Sequence, residues 1–400
     1  MKNQIALAVA VLLGAALSSS AMPNKAADIT VSGYTGSGTL ENFPVLVRIA
    51  EYDAETGKGI QGFSYADCAE GGADISFADA SGNLVAHEID TWNPEGESLV
   101  WVRVPSLSGT ATSFTFRWND ANPPVVTASA VWSANYIGVW HFSEEGGDAA
   151  DATGHGLTGV ETGSSSLAPA SKVGGARAVA SGALQVPDYE ATYGGATVFS
   201  ASGWFYCPGV TAGYRSVMNK KTSAGAAWNS ASGWYLEMNN SLTQIGLIGC
   251  NSTKYTCNIP NITQGWTYFH VVSSGADVKL YLNGSTSPGI NKTHALKAAG
   301  VPLNMMPTVG YADEFRVRGV ANSADWTRAE YQTVAVADYL TYGSAYSPDG
   351  VLDIVGSPDA IGSPTPPYGK RTGLTAGAEI PVACPVWTNE TGTAVYSCTG

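Results

Sequence analysis

Charge is scarce in this chain, and so are the residue types that most often carry chemistry. Charged side chains make up 13% of the 400 residues, histidine occurs 5 times, and cysteine and methionine 6 times each. The charges present are 33 acidic and 20 basic, a formal net charge of −13 with no basic cluster. A surface of that sign repels phosphate backbones, which argues against nucleic acid as a partner. No His-x-x-x-His spacing is present, which argues against a zinc site readable from one segment. Neither a Gly-x-Ser-x-Gly elbow nor a Gly-x-Gly-x-x-Gly phosphate loop joining a strand to a helix appears.

Long apolar runs are missing as well. The longest, Ile5 to Leu17, is shorter than the ~20 residues that span a bilayer. It follows Met1-Lys2-Asn3 and precedes Ser19-Ser20-Ala21, so residues 1–21 read as a secretory signal peptide cut after Ala21, with a membrane anchor as the alternative. Cleavage removes Lys2 alone among the charges, taking the net charge from −13 to −14. No later segment is long enough to span, so the expected location is extracellular or at the cell surface.

What the chain does have is 44% hydrophobic residues, 10% aromatics and 47 glycines, the composition of many short strands joined by turns. At ~100–200 residues per domain, the length suits two or three domains. In Gly265–Gly284, Val278, Leu280 and Leu282 alternate with Asp277, Lys279, Tyr281 and Asn283. Thr267, Phe269 and Val271 alternate with Trp266, Tyr268 and His270. Two runs of period two joined by Ser273-Ser274-Gly275-Ala276 and closed by Asn283-Gly284 predict a β-hairpin with one buried face and one wet one. Upstream, strands are expected at Ile29–Val31, Phe43–Ile49, Ile75–Phe77, Leu84–Ile89, Leu99–Val104 and Ser113–Trp118, ending at Asn119–Pro124. Helical spacing is confined to Asp325–Tyr331, after the capping candidates Asn322-Ser323.

Two resemblances follow from these pieces. The hairpin, Val131-Trp132, Gly138–Phe142, the loop Asp151–Gly156 and the closing run Val309–Val317 with its Asp313-Glu314 pair resemble the concanavalin A-like, laminin-G-like jelly rolls. Ala152 and His155 depart from the usual loop. The runs Asn42–Val47, Ala73–Asp79, His87–Trp92 and Val100–Pro105 resemble the bacterial exported module known as domain of unknown function 2341, which commonly sits ahead of such a jelly roll. The expected fold is therefore all-β: signal peptide 1–21, a small β-sandwich-like domain 26–122, a laminin-G-like jelly roll 130–340, a Pro/Gly/Ser-rich linker 341–367 and a partial C-terminal β module 368–400. Thirty residues cannot bury a core alone, so 368–400 reads as the start of a longer module or as a disulfide-clipped tail.

For the jelly roll, the resemblance implies binding of sugars or proteins, and in some members glycan cleavage. Tyr214, Trp228 and Tyr255 lie in Gly/Ser/Asn-rich stretches and are the expected ligand-binding aromatics, since sugar rings stack on exposed aromatic faces; packing onto the rim is the bland alternative. Asp151 and Asp313 are the candidate ligands for a structural calcium, which such jelly rolls often hold between the loop after the first strand and the closing strand; ordinary turn hydrogen bonding is the alternative. Cys250 with Cys257, and Cys384 with Cys398, are candidate disulfides across short loops, while Cys68 and Cys207 fall in different expected domains. Glu88-Ile89-Asp90 lacks the second glutamate of a jelly-roll glycosidase motif and reads as a solvated sheet face. His141 and His270 read as structural. Six Asn-x-Ser/Thr sequons, beginning at Asn239, Asn251, Asn261, Asn283, Asn291 and Asn389, read as coincidence in a chain of bacterial resemblance. The expected function is non-catalytic binding of glycan or a surface protein through rim loops, with a structural spacer and a glycoside hydrolase as alternatives.

Overall fold

The computed structural model describes residues 25–348 apart from 110–111, 133–134, 189–196, 210–212, 223–232, 250–252, 260–264, 297–298 and 308–309; beyond 348 it describes only the backbone of 350–354, 369–374, 380–383 and 395–398. The described chain is antiparallel β with one α-helix, as the alternating patterns require.

The first unit contains Lys25–Val31 (β1), Leu40–Ile49 (β2), Ser76–Asp79 (β3), Leu84–Val85 (β4), His87–Thr91 (β5), Ser98–Leu107 (β6) and Thr112–Trp118 (β7). The second contains Tyr136–Trp140 (β8), Val160–Glu161 (β9), Ser164–Leu167 (β10), Arg177–Ser181 (β11), Leu184–Val186 (β12), Val198–Tyr206 (β13), Arg215–Lys221 (β14), Gly233–Met238 (β15), Gln244–Gly249 (β16), Thr253–Asn258 (β17), Thr267–Ser274 (β18), Asp277–Leu282 (β19), Ile290–Thr293 (β20), Leu303–Met305 (β21) and Gly310–Arg318 (β22). Helix α1 (Ala324–Ala335) and Leu340–Tyr342 (β23) follow. Farther on, Gly350–Ile354 pairs with Gly369–Leu374, and Ile380–Ala383 with Val395–Cys398.

The second unit is a two-sheet sandwich. Its inner sheet runs β10-β11-β22-β13-β18-β19-β20, with β8 also on β22, and its outer sheet runs β17-β16-β15-β14-β21-β12-β9. Phe199, Phe205, Phe269, Val271, Leu280, Phe315 and Val317 of one sheet meet Leu184, Trp234, Leu236, Leu247, Leu303 and Met305 of the other in a closed core. The expected hairpin is β18–β19 with Val271 opposite Leu280, and Asn283 and Gly284 take φ of 48° and 69°.

The first unit stacks sheet β23-β1-β7-β3-β4 on sheet β2-β6-β5. In β2 and β6 both alternating faces are buried, because a second layer covers each: Val45, Val47 and Phe116 belong to the same core cluster as Trp132, Trp204, Tyr268 and Trp326 of the second unit. Four layers of sheet therefore stack, and the expected wet face of the β18 hairpin is buried under α1 and the first unit. Tyr268 is 1% exposed and His270 0%.

The helix seals this junction. Ser323 Oγ accepts from Trp326 N–H at 3.1 Å as N-cap, so the expected start is observed within one residue. β2 is the edge of its sheet, and its unpaired N–H groups are taken up from the second unit's end: Leu46 N–H donates to Thr333 Oγ1 (2.9 Å) and Arg48 N–H to the Tyr342 hydroxyl (3.0 Å). Covering an edge in this way removes a template for aggregation. Residues 341–346 do not open a linker as expected: Leu340–Tyr342 pairs with Ile29–Val31 and Tyr346 bridges Ala26, completing the first unit's sheet. Val131 and Trp132 likewise do not begin a strand; they end the 3-10 turn Ala128–Val131, which turns Trp132 into the junction.

Candidate functional site

The two outer faces of the sandwich carry most of its polar chemistry, and they differ in kind. On the inner sheet, β22 places Ala312, Phe315 and Val317 in the core. Two residues, Glu314 and Phe315, lie between the pairs Trp204↔Asp313 and Ser202↔Arg316, opposite Gly203 alone. This is a β-bulge, with Glu314 at φ 53°, and it keeps Asp313 and Glu314 both off the core side, with Arg316 and Arg318 beyond them. Gly203 is required there, since a Cβ would stand 2.3 Å from the Phe315 ring.

A buried ionic cluster forms where β22 meets the first unit. His141 Nδ1 lies 2.6 Å from Glu314 Oε1, and Arg316 donates to Glu314 Oε2 at 2.6 Å. The Arg316 guanidinium sits 4.3 Å from the Trp101 ring and 4.9 Å from that of Trp132. Trp132 Nε1–H donates to Glu88 Oε2 at 2.6 Å, and Asp90 Oδ2 is 3.6 Å from His141 Nδ1. Glu88 and Asp90 are thus not on a solvated face: their side chains are 17% and 1% exposed, because β5 faces the sandwich. Asp313 Oδ2 accepts from Lys172 and Val173 N–H at 2.5 and 3.1 Å, while its Oδ1 has no partner. That loop approaches closely because Gly174, at φ 48°, would otherwise set a Cβ 2.0 Å from Asp90 Oδ1.

Burial and charge pull these groups in different directions. For His141 burial opposes the proton, but Glu314 and Glu88 outweigh it and hold the imidazole well above its ordinary value. Burial raises Asp90, and burial with the neighbouring Glu314 charge raises Asp313 well above the carboxylate range. Glu314 is pulled below its ordinary value despite burial by His141 and Arg316. Nearby His270 behaves oppositely: burial pushes it down to about 4. Its Nδ1 and the Tyr268 hydroxyl are 2.9 Å apart, and Tyr268 in turn donates to Glu330 of α1 at 3.1 Å. Asn322 Nδ2 lies 3.0 Å from His270 Nε2, so a neutral ring donating through Nδ1 satisfies every partner.

Two registered rows cross the outer face of the outer sheet, where Ile248 is 0%, Tyr235 6% and Asn219 8% exposed. One runs Gln185, Asn304, Asn219, Tyr235, Ile248, Lys254 across six strands; the other runs Ser216, Glu237, Gly246, Thr256. In the first row Gln185 Nε2 donates to Asn304 Oδ1 (3.0 Å), Asn304 Nδ2 to Asn219 Oδ1 (3.1 Å) and Asn219 Nδ2 to Ser216 Oγ (3.2 Å). Lys254 pairs with Glu237 at 2.9 Å and lies 4.2 Å from the ring centroid of Tyr214, which is 58% exposed.

Of the aromatics singled out by sequence, Tyr214 borders this face and Trp228 lies outside the described residues. Tyr255 is not in a loop: it is in β17 opposite Leu247, half-buried against the core and beside His294, on the other side of the strand from Lys254. Asp151 accepts from Val139 N–H, from Thr153 N–H and Oγ1–H, and from Leu157 N–H, holding its own loop. Among the described residues the His/Cys/Asp/Glu atoms that converge are those of Asp90, His141 and Glu314, all within 4.8 Å of one another, and neither Asp151 nor Asp313 is of that group.

The Cys250–Cys257 bridge is not formed, and the Cys257 thiol is free. Cys257 stands opposite Ile245 in β17. Cys250 itself, Cys384 and the side chain of Cys398 lie outside the described residues.

No family model and no curated protein matches the sequence. Several solved structures are similar over part of it. The botulinum neurotoxin serotype D binding domain is 12% identical, with 50% of this chain and 51% of that one covered and a TM-score of 0.35. Domain 4 of AbnA, a GH43 extracellular arabinanase from Geobacillus stearothermophilus, in complex with arabinotriose, is 18% identical over 48% and 97% at a TM-score of 0.37. The binding domain of Paraclostridial Mosquitocidal Protein 1 is 12% identical over 50% and 52% at 0.40. The chain thus spans about half the length of the two toxin domains. Likenesses this remote carry no information about ligand or activity.

Proposed function

We propose that this chain is a non-catalytic, secreted or cell-surface binding protein that holds a neutral glycan across the outer sheet of its sandwich. The observation that carries the reading is the row of amides, Gln185, Asn304 and Asn219, leading across the sheet toward the exposed ring of Tyr214. Amides offer donors and acceptors to sugar hydroxyls, and an exposed aromatic face takes the apolar C–H side of a pyranose ring. Charge on this face is paired rather than of one sign, Glu237 with Lys254, and Lys221 lies over the Tyr235 ring at 4.6 Å, which favours an uncharged ligand.

Hydrolysis is disfavoured by the same rows. Retaining cleavage needs two carboxylates ~5–5.5 Å apart, and Glu237 is the one carboxylate in either row. The carboxylates that do cluster are buried at the junction, where a sugar chain has no path.

The test is a glycan array followed by calorimetry on the best ligand. Tyr214→Ala should weaken binding about tenfold, the loss of one stacking contact, and Asn304→Ala by a similar factor, with the melting temperature of the first variant unchanged. An array with no signal, together with unaltered capture of a surface-protein partner by both variants, would sink the glycan reading and favour a spacer or protein-docking role.

A further inference from the structure

We propose that the junction between the two units binds one first-row divalent cation of the zinc type on Asp90 of β5, His141 after β8 and Glu314 at the bulge of β22.

Their ligand atoms already lie within 4.8 Å of one another, contributed by two strands, the residue after a third, and both units. One imidazole nitrogen with two carboxylate oxygens is a ligand set suited to zinc, whereas calcium takes an all-oxygen shell of six to eight. Zinc bonds of ~2.0–2.2 Å at tetrahedral angles hold ligand atoms roughly 3.3–3.5 Å apart. The present separations are 2.6 Å for His141 Nδ1 to Glu314 Oε1 and 3.6 Å for His141 Nδ1 to Asp90 Oδ2. Admitting the ion therefore asks the first pair to part by less than about 1 Å as it replaces the proton between them.

The supporting atoms are those a metal site needs. Arg316 holds Glu314 Oε2 at 2.6 Å and Thr91 Oγ1–H donates to Asp90 Oδ1 at 2.8 Å, so each ligating carboxylate is oriented through its other oxygen. His141 Nε2 lies 3.5 Å from Glu88 Oε2, and one buried oxygen at the cluster has no hydrogen-bond partner, Asp313 Oδ1, on a side chain that is 0% exposed and close enough to feel the charges of Glu314 and Asp90. The carboxyl groups of Glu88, Asp90, Asp313 and Glu314 face His141, Arg316 and, across Asp313, Lys172. His141 keeps 13% of its surface, which leaves the ion a way in.

The purified chain should be dialysed against chelator, loaded with ZnCl2, desalted and assayed for metal by mass spectrometry, with melting followed in parallel. We expect about one zinc per chain, and a melting temperature raised by about 4 °C at a hundredfold excess over Kd. Asp90→Asn and Glu314→Gln should each lose the zinc and the shift, while Glu237→Gln on the far sheet keeps both. Should His141→Ala fail to fold, Asp90→Asn, which preserves volume and is checked by circular dichroism, decides the matter. Zinc retained equally by Asp90→Asn, a shift produced by CaCl2 but not ZnCl2, or no shift with either ion would overturn the proposal.

Discussion

The two outer faces of one sandwich have followed opposite routes with similar raw material. Each sheet sends polar side chains outward between apolar ones, as antiparallel strands do. On the inner sheet those groups, Glu314, Arg316, Arg318, Tyr268 and His270, are sealed beneath tryptophans and a helix, and every charge must find a partner inside the protein. On the outer sheet Glu237 and Lys254, with side chains 16% and 28% exposed, pair with each other, and the amides Gln185, Asn304 and Asn219 bond in series. Sealed polar groups tie the two units together; those of the outer sheet bond to one another. Polarity in the sequence marks both faces equally, and burial separates their roles.

The sharpest way to break this contrast is to remove one charge from each face. Arg316→Met strands Glu314 without its guanidinium and should cost about 3–5 kcal/mol, read as a lowered urea midpoint. If it costs no more than Lys254→Met, the two faces are energetically alike and the contrast fails. Next in size is the response to acid. His270 has a folded value of about 4 against an ordinary 6.5, so its neutral, buried state stabilises the fold above pH 6.5 and that contribution is lost as pH falls toward 4. The loss is about 3 kcal/mol over that window, and His270→Gln should flatten the corresponding part of the curve of stability against pH. A smaller effect belongs to the helix that closes the junction: Ser323→Ala removes the N-cap and should cost about 1 kcal/mol, seen as a lower melting temperature. The smallest is on the outer sheet, where Lys254→Met, breaking a pair whose side chains are 28% and 16% exposed, should change stability by about 1 kcal/mol.

Much of the fold is legible in the sequence because period-two alternation is a local signal. Phe269 and Val271 against Val278 and Leu280, the Gly275 turn and the Asn283-Gly284 ending stand as the pattern requires. The helix start at Ser323 was legible for the same reason, since a cap concerns three neighbouring residues. Other features were not. Tyr255 lies in an ordinary strand, hidden among residues rich in Thr, Asn and Ser that read as loop. Thr341-Tyr342 looks like the start of a linker, and only its pairing partner, more than 300 residues earlier, makes it part of a strand. Asp90, His141 and Glu314 share no spacing that a motif could record, because their proximity is made by two units docking.

By itself, then, the order of residues determined that this protein is antiparallel β, where most strands and turns fall, and which side of each strand meets a core, since each of these depends on neighbours within a few positions. Tertiary structure alone decided that the face of Tyr268 and His270 is dry, that Glu88 and Asp90 face an imidazole instead of water, and that Gln185, Asn304 and Asn219 align across three strands. Whether a polar side chain is buried depends on what packs over it, and here the covering layer comes from strands as much as 200 residues away.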